Sequence, residues 1–258
     1  MTYLTRLLDS TEARVERLRS DVGRVDLEHR AVLARPVRSL PDALRTGAVE
    51  IIGEIKRASP SRGPLAPGAD AGRLASEYVR GGAAALSVLT EPEAFDGRIE
   101  DIEAAGGAGV PVLRKDFILD DLQVAEARAA GADSVLLIVR IVDDDALRRL
   151  IEACRAFGME PLVEVFDERD AGRAAEQGAL LIGINTRDLE SFDVDPGRTE
   201  RLLPLLPRES TVVALSGVAA RADVERLGSL GVHAVLVGES LVTSKDPAAA
   251  VRALLGRS

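Results

Sequence analysis

The sequence predicts an α/β fold: a single (β/α)8 barrel over residues 50–258, preceded by a helical extension over residues 1–49. Three observations predict it. From Glu50 onward, eight short apolar runs alternate with longer amphipathic helical segments, at a spacing of about 26 residues per unit. The runs are rich in Val, Ile and Leu and lack polar alternation, as strands covered on both faces should. Glycine repeatedly stands between a helical segment and the next run, at Gly81-Gly82, Gly109, Gly131, Gly158, Gly178 and Gly231. Glycine past a helix end takes the left-handed cap that turns the chain back towards the sheet. The competing architecture is an open doubly wound sheet. That fold wants a glycine-rich turn after its first strand, whereas here the first run is followed by Lys-Arg-Ala-Ser-Pro.

Residues 1–49 read as one long amphipathic helix and a shorter one around Leu40–Leu44, introduced by Pro41. The eight strands are expected at Glu50–Ile55, Ala84–Leu89, Val110–Arg114, Ser134–Val139, Pro161–Val165, Leu180–Ile184, Thr211–Ala214 and Ala234–Val237. Helical patterns lie between them, for example at Asp144–Phe157 and Glu168–Glu176.

Composition narrows the function. With 46% hydrophobic and 29% charged residues among 258, the chain reads as an ordinary globular protein. Only 3% of residues are aromatic, so the core must be aliphatic. A net charge of −9 argues against a nucleic-acid surface and requires any anion site to be built locally. The N-terminus has no continuous apolar core of a signal peptide, and no stretch is long enough to span a bilayer. The single Cys154 sits on a helical apolar pattern and reads as buried packing; one cysteine allows no disulfide within the chain, which suits a reducing compartment. A cytoplasmic protein is the expectation, with no membrane or nucleic-acid partner, as a monomer or weak homodimer.

In barrels of this kind, chemistry gathers at the carboxyl ends of the strands. Those ends carry Glu54 and Lys56, Thr90, Lys115, Arg140, Glu164, Asn185, Ser216-Gly217 and Gly238-Glu239-Ser240. Glu54 and Lys56 are two apart, so they share a face of the first strand. Lys115 shares parity with apolar Leu113 and should point inward; the alternative is a solvated lysine paired with Asp116. Glu164 has apolar neighbours on both sides and needs a buried partner, which the rim lysines supply. Asn185 and Asp188 are equally readable as turn caps. The small-residue turns after strands seven and eight lead into helices and form a cradle suited to phosphate. His29 and His233 stand alone without metal-ligand spacing. Asp143-Asp144-Asp145 lies where a helix begins, which suits capping rather than metal.

The segments EIKRASPS, LSVLTEPEAFDG, PVLRKDF, LLIV, LVEV, INTRDL, SGV and VGESLV occur in that order. In them the chain resembles the indole-3-glycerol-phosphate synthase family along nearly its whole length. The resemblance implies closure of 1-(2-carboxyphenylamino)-1-deoxyribulose 5-phosphate to indole-3-glycerol phosphate, with loss of carbon dioxide and water and with no metal or organic cofactor. It implies Lys115 as general acid for ring closure. Lys56 and Glu164 would serve as acid and base in dehydration, with Glu54 holding Lys56. Phosphate would be bound by Lys56, Ser59, Ser216, Gly217, Gly238 and Glu239. Asn185 and Arg187 would meet the sugar or the anthranilate carboxylate, and Pro60, Phe95, Phe117 and Leu189 would form the aromatic slot. The extension over residues 1–49 would pack over the barrel mouth. Two positions depart from the family pattern. Leu215 stands where an active-site Glu is usual, and Phe166 where His often follows the Val-Glu-Val run. Besides the family reaction, these departures leave two other readings: a paralogue taking a substituted anthranilate adduct, and a non-catalytic binder of a phosphorylated ligand. A phosphoribosyl-type isomerase is the weaker enzyme alternative, since its acid–base pair (Cys/Asp or Asp/Asp) is missing from the rim.

Overall fold

The computed structural model describes residues 2–257 and is a closed (β/α)8 TIM barrel of eight parallel strands. The strands are β1 (Glu50–Ile55), β2 (Ala85–Leu89), β3 (Val112–Lys115), β4 (Ser134–Ile138), β5 (Leu162–Val165), β6 (Leu181–Asn185), β7 (Thr211–Leu215) and β8 (Ala234–Val237). Each pairs with its sequence neighbours, and β1 pairs with β8 through Glu50↔Ala234 to Gly53↔Val237, which closes the ring. Four strands, β2, β3, β5 and β6, start later than the apolar runs suggest, β3 and β5 because of a proline. Pro111 and Pro161 have no N–H for the ladder, so pairing begins at Val112 and Leu162. Three run one residue further: β3 to Lys115, in register with Leu89, and β6 and β7 to Asn185 and Leu215, in register with each other.

Parity along the strands sorts the core into two layers. Ile52, Leu113, Leu136, Leu162, Leu181, Val213, Leu215 and Leu236 fill the barrel interior. The alternate residues, such as Ile51, Val112, Val135, Val163, Ile182 and Val235, pack against the surrounding helices. Both faces are therefore dry, and every strand residue is buried except Lys115 at the end of β3. Cys154 belongs to the outer layer, and burial pushes its thiol pKa up, which makes it inert packing.

The outer helices are α4 (Ala71–Gly81), α5 (Pro92–Phe95), α6 (Glu100–Gly106), α7 (Asp121–Ala129), α8 (Asp144–Ala156), α9 (Glu168–Glu176), α10 (Arg198–Leu202), α11 (Arg221–Leu230), α12 (Glu239–Val242) and α13 (Pro247–Leu255). Of the glycines expected to cap helices, Gly81 alone has another role. It lies inside α4, where a Cβ would sit 2.6 Å from the Ala248 carbonyl, so it allows α4 and α13 to approach closely.

The long N-terminal helix expected from sequence is two helices, α1 (Tyr3–Asp21) and α2 (Arg24–Leu33), separated at Gly23 with φ of 76°. A left-handed backbone cannot continue a right-handed helix. α1 contacts the loops that follow strands: Arg14 grips Asp116 after β3, and Ser10 meets Glu93 after β2. α2 packs on α7. α3 (Leu40–Leu44) and its flanks contact the opposite end of the barrel. Arg38 donates to the carbonyls of Gly106 and Val110, and Arg45 Nε to Thr211 Oγ1 at the start of β7. Leu40 and Leu44 are 1% and 0% exposed in the interior layer. Among the described residues, no helix is long and apolar enough to cross a membrane.

Candidate active site

Inward parity carries Ile52 on to Glu54 and Lys56, Leu113 on to Lys115, Leu162 on to Glu164, and Leu181 on to Gly183 and Asn185. Ionisable groups thus replace leucine at the carboxyl end of the barrel. Lys56 Nζ lies 2.8 Å from Glu54 Oε2, and Lys115 Nζ lies 3.5 Å from Glu54 Oε1. Glu54 is 3% exposed. Burial alone would push its carboxyl pKa up, but the two lysines outweigh it and hold the group below the ordinary carboxylate range. The magnitudes agree: at an effective dielectric near 20, each contact supplies roughly 5 kcal/mol of attraction. Desolvation costs several kcal/mol per ion, so two cations tip the balance where one would be marginal.

Room for this cluster comes from Gly238, immediately after β8. A Cβ there would lie 2.1 Å from Glu54 Oε2, so no other residue fits without displacing the carboxylate. The alternative partner for Lys115 is already engaged elsewhere. Asp116 accepts from Arg14, Arg114, Thr90 and the Phe117 amide, on the outward side of β3. Thr90, on the sequence's list of rim residues, belongs to that outer network.

Glu164 behaves oppositely to Glu54. It is 1% exposed and its Oε2 has no hydrogen-bond partner. Burial pushes its pKa up, outweighing Lys115, the Asn185 amide and Arg140, while Glu54 adds to the rise. Two carboxylates in one site with pKa values driven apart are the usual arrangement for acid–base chemistry.

A cavity of about 450 Å³ opens above these groups. Its wall includes Glu54, Lys56 and Lys115, together with Ser59, Pro60, Phe95, Asn185, Arg187 and Leu189. Leu215, Ser216, Gly217, Gly238 and Glu239 complete the side formed by the turns after β7 and β8. Ser59 Oγ and Ser240 Oγ on this wall are buried without a hydrogen-bond partner, which leaves two donors available to a ligand. Ser216 has φ of 68°, a left-handed backbone strained for a non-glycine residue and of the kind found at ligand sites, beside Gly217 at 74°. Glu164 lies beneath the cavity rather than on its wall.

One aromatic expectation needs correction. Phe117 does not line the cavity; it is 7% exposed in the interior apolar cluster with Leu7 and Phe166. It keeps the parity of Lys115, but β3 ends at Lys115, so alternation no longer applies. Phe192 lines the cavity instead, with φ of 61° and an edge-on contact to Tyr3 at 5.7 Å. Arg62 also stands on the wall and pairs with Glu239 at 3.3 Å. Both lie in irregular loops without periodicity, so only the unusual backbone of Phe192 sets either apart. Arg140 does not line the cavity and is turned onto Asp167, Asp170 and the wall residue Asp188. Of the residues set aside from sequence, Asp143 caps α8, and His233 Nδ1 accepts from the Val212 amide. Among the described residues, no group of three or more His, Cys, Asp or Glu could hold a metal ion.

Solved structures of the same architecture include 3-hexulose-6-phosphate synthase from Salmonella typhimurium, with a TM-score of 0.63 at 18% identity over 81% of this chain and 100% of that one. Thiamine phosphate pyrophosphorylase from Pyrococcus furiosus gives 0.61 at 18% identity over 83% and 96%. At such identities the likeness shows the fold alone. Sequence relatives are closer. Indole-3-glycerol phosphate synthase 1 of Streptomyces coelicolor is 44% identical over 99% of this chain and 95% of its own length. The indole-3-glycerol phosphate synthase of Mycolicibacterium gilvum is 44% identical over 98% and 94%. The family model for indole-3-glycerol phosphate synthase matches residues 4–254. The chain belongs to the indole-3-glycerol phosphate synthase family.

Proposed function

We propose that the protein is an indole-3-glycerol-phosphate synthase, a carbon–carbon lyase of tryptophan biosynthesis. It takes 1-(2-carboxyphenylamino)-1-deoxyribulose 5-phosphate and releases indole-3-glycerol phosphate, carbon dioxide and water. The observation that carries the reading is Glu54 held between Lys56 and Lys115, with a second carboxylate, Glu164, whose pKa is driven the other way.

In this reading the phosphate lies against Lys56, Ser59 and the turns at Ser216-Gly217 and Gly238-Glu239, where Arg62 offsets the Glu239 charge. The aromatic ring lies among Pro60, Phe95 and Leu189, with Asn185 and Arg187 facing the sugar or the ring carboxylate. Lys115 delivers its proton to the ketone oxygen as the ring carbon attacks, so charge never accumulates on the developing alkoxide. Decarboxylation restores aromaticity. Loss of water then needs a proton for the departing hydroxyl and a base for the ring proton, roles for Lys56 and Glu164. Glu54 aims both lysines, at 2.8 and 3.5 Å from its two carboxylate oxygens. Residues 1–49 are an extension of the catalytic barrel, with α1 forming part of the mouth. The protein is proposed to act in the cytoplasm, as a monomer or weak homodimer.

Incubation with the ribulose-phosphate adduct should give the fluorescence of an indole product. Absence of that signal at high enzyme concentration would contradict the assignment. Leu215 favours a second reading. It is 1% exposed on the cavity wall, and together with Leu236 it makes that wall apolar. A paralogue taking a ring-substituted adduct would turn over the substituted compound with a higher kcat/KM than the plain one. A non-catalytic binder would show calorimetric binding of the adduct without product, and Leu215→Glu would not restore turnover.

A further inference from the structure

The segment after β6, residues 185–192, contributes Asn185, Arg187, Asp188, Leu189 and Phe192 to the cavity wall. Its turn is partly self-made: Asp188 Oδ1 accepts from the Glu190 and Ser191 amides, and Arg187 Nη1 donates to the Phe192 carbonyl. Such local bonds fix the shape of the turn; its base is held by the Thr186 amide on the Leu215 carbonyl at 3.1 Å and its far end by the Tyr3 contact to Phe192, which leaves the tip at residues 187–189 to be placed. Among the described residues, one ion pair ties a carboxylate of this segment to a cation from another strand end, and that cation is Arg140.

Arg140 follows β4, two strands away. Its guanidinium lies over the Phe166 ring, with Cζ 4.0 Å from the centroid, and so crosses the end of β5. From there Nη1 reaches Asp188 Oδ2 at 3.6 Å. The other nitrogens are held by acids of the β5 loop and α9: Nε by Asp170 Oδ2 at 3.3 Å and Nη2 by Asp167 Oδ2 at 3.2 Å. Asp170 Oδ2 also accepts from the Phe166 amide, which fixes the ring beneath the guanidinium. A planar cation on a flat ring, clamped at two corners, presents its third corner in one place only. A lysine ammonium is too compact to hold all three acids and the ring together.

We propose that Arg140 is a positioning residue: braced on Phe166, Asp167 and Asp170, it holds Asp188 and thereby sets where Arg187 and Leu189 stand over the cavity. Its structural consequence is independent of the reaction, while its kinetic consequence rests on the ring closure proposed above. Losing the clamp leaves Lys115, Lys56 and Glu54 in place but makes substrate binding carry the cost of ordering the segment. The effect therefore falls on KM rather than kcat.

The test compares Arg140→Met, Arg140→Lys, Asp188→Asn and the double variant Arg140→Met/Asp188→Asn. Asp188→Asn keeps an oxygen for the Glu190 and Ser191 amides and leaves the Asp167 and Asp170 contacts intact, so it removes the clamp without threatening the fold. Hydrogen exchange of peptides covering 186–193 should accelerate by about tenfold in Arg140→Met and in Asp188→Asn, and no further in the double variant. With the adduct as substrate, KM should rise about five- to tenfold with kcat within about twofold in Asp188→Asn, which leaves Arg140 near Glu164, and Arg140→Lys should recover only part of the KM lost in Arg140→Met. Unchanged exchange in both single variants, or losses that simply add in the double, would overturn the proposal. If the wild type forms no indole product, the ring-closure reading fails, and the exchange data alone then decide the role of Arg140.

Discussion

Leu113 and Lys115 show how a single alternation serves packing and chemistry. The same inward face that fills the barrel with leucine delivers an ammonium to its mouth one step later. Glu164 sits on the same kind of boundary and is left buried with a free oxygen. That arrangement carries a stability penalty with a definite sign. A carboxyl whose pKa is raised on folding binds more protons in the native state, so stability falls as pH rises past its unfolded value, near 4.3. Glu164→Gln should therefore melt higher than wild type at pH 7, by about 2–4 °C for each kcal/mol removed, with the gain vanishing below about pH 4. Scanning calorimetry across that range checks it. An equal or lower melting temperature at pH 7 would count against a destabilised carboxyl.

Asp116 is the opposite case and belongs to the scale of elements, because it ties α1 to β3. It accepts from both Nη atoms of Arg14 on α1, at 3.1 and 2.8 Å, and from Arg114 within β3 at 3.2 Å. Burial would raise its pKa, but Arg114 and Arg14 hold it low. Its stabilisation is present above the unfolded value near 3.9 and is lost as pH falls through the depressed native value. Asp116→Asn should cost about 1–3 kcal/mol at pH 7 by urea unfolding, since it removes the charge paired with the half-buried Arg14 and with Arg114, which keeps Glu126. The gap to wild type should narrow as pH falls below about 4. α1 should also become a site of protease cleavage under native conditions.

At the scale of elements, most of the chain was legible because period two and period 3.6 separate cleanly here. Strand parity points Glu54, Lys56 and Lys115 inward, the apolar flanks of Glu164 call for a buried partner, and the structure brings Lys56 and Lys115 onto Glu54. Phe117, placed at the slot by the resemblance alone, packs inward with Leu113, and Phe192 and Arg62 stand in loops where no period applies. The break at Gly23 was hidden because the amphipathic pattern runs straight through it. The role of Gly238 is invisible in sequence, since it depends on a carboxylate almost two hundred positions away.

For the molecule as a whole, the two ends of the barrel carry separate duties. Residues 35–46 close the amino end, where Leu44 is fully buried, and the ionisable cluster occupies the carboxyl end. Leu44→Ala should cost about 2–5 kcal/mol in unfolding free energy while leaving kcat within about twofold. A large loss of kcat in a well-folded Leu44→Ala protein would mean that the ends are coupled.

The central claim is that an ammonium at Lys115, aimed by Glu54, closes the indole ring. Its most direct measurement is the single-turnover rate of indole fluorescence with excess enzyme, wild type beside Lys115→Met, at matched melting temperature. The account predicts a rapid rise for wild type and a rate lower by about 10²–10⁴-fold for the variant. Comparable rates in the two proteins would contradict it.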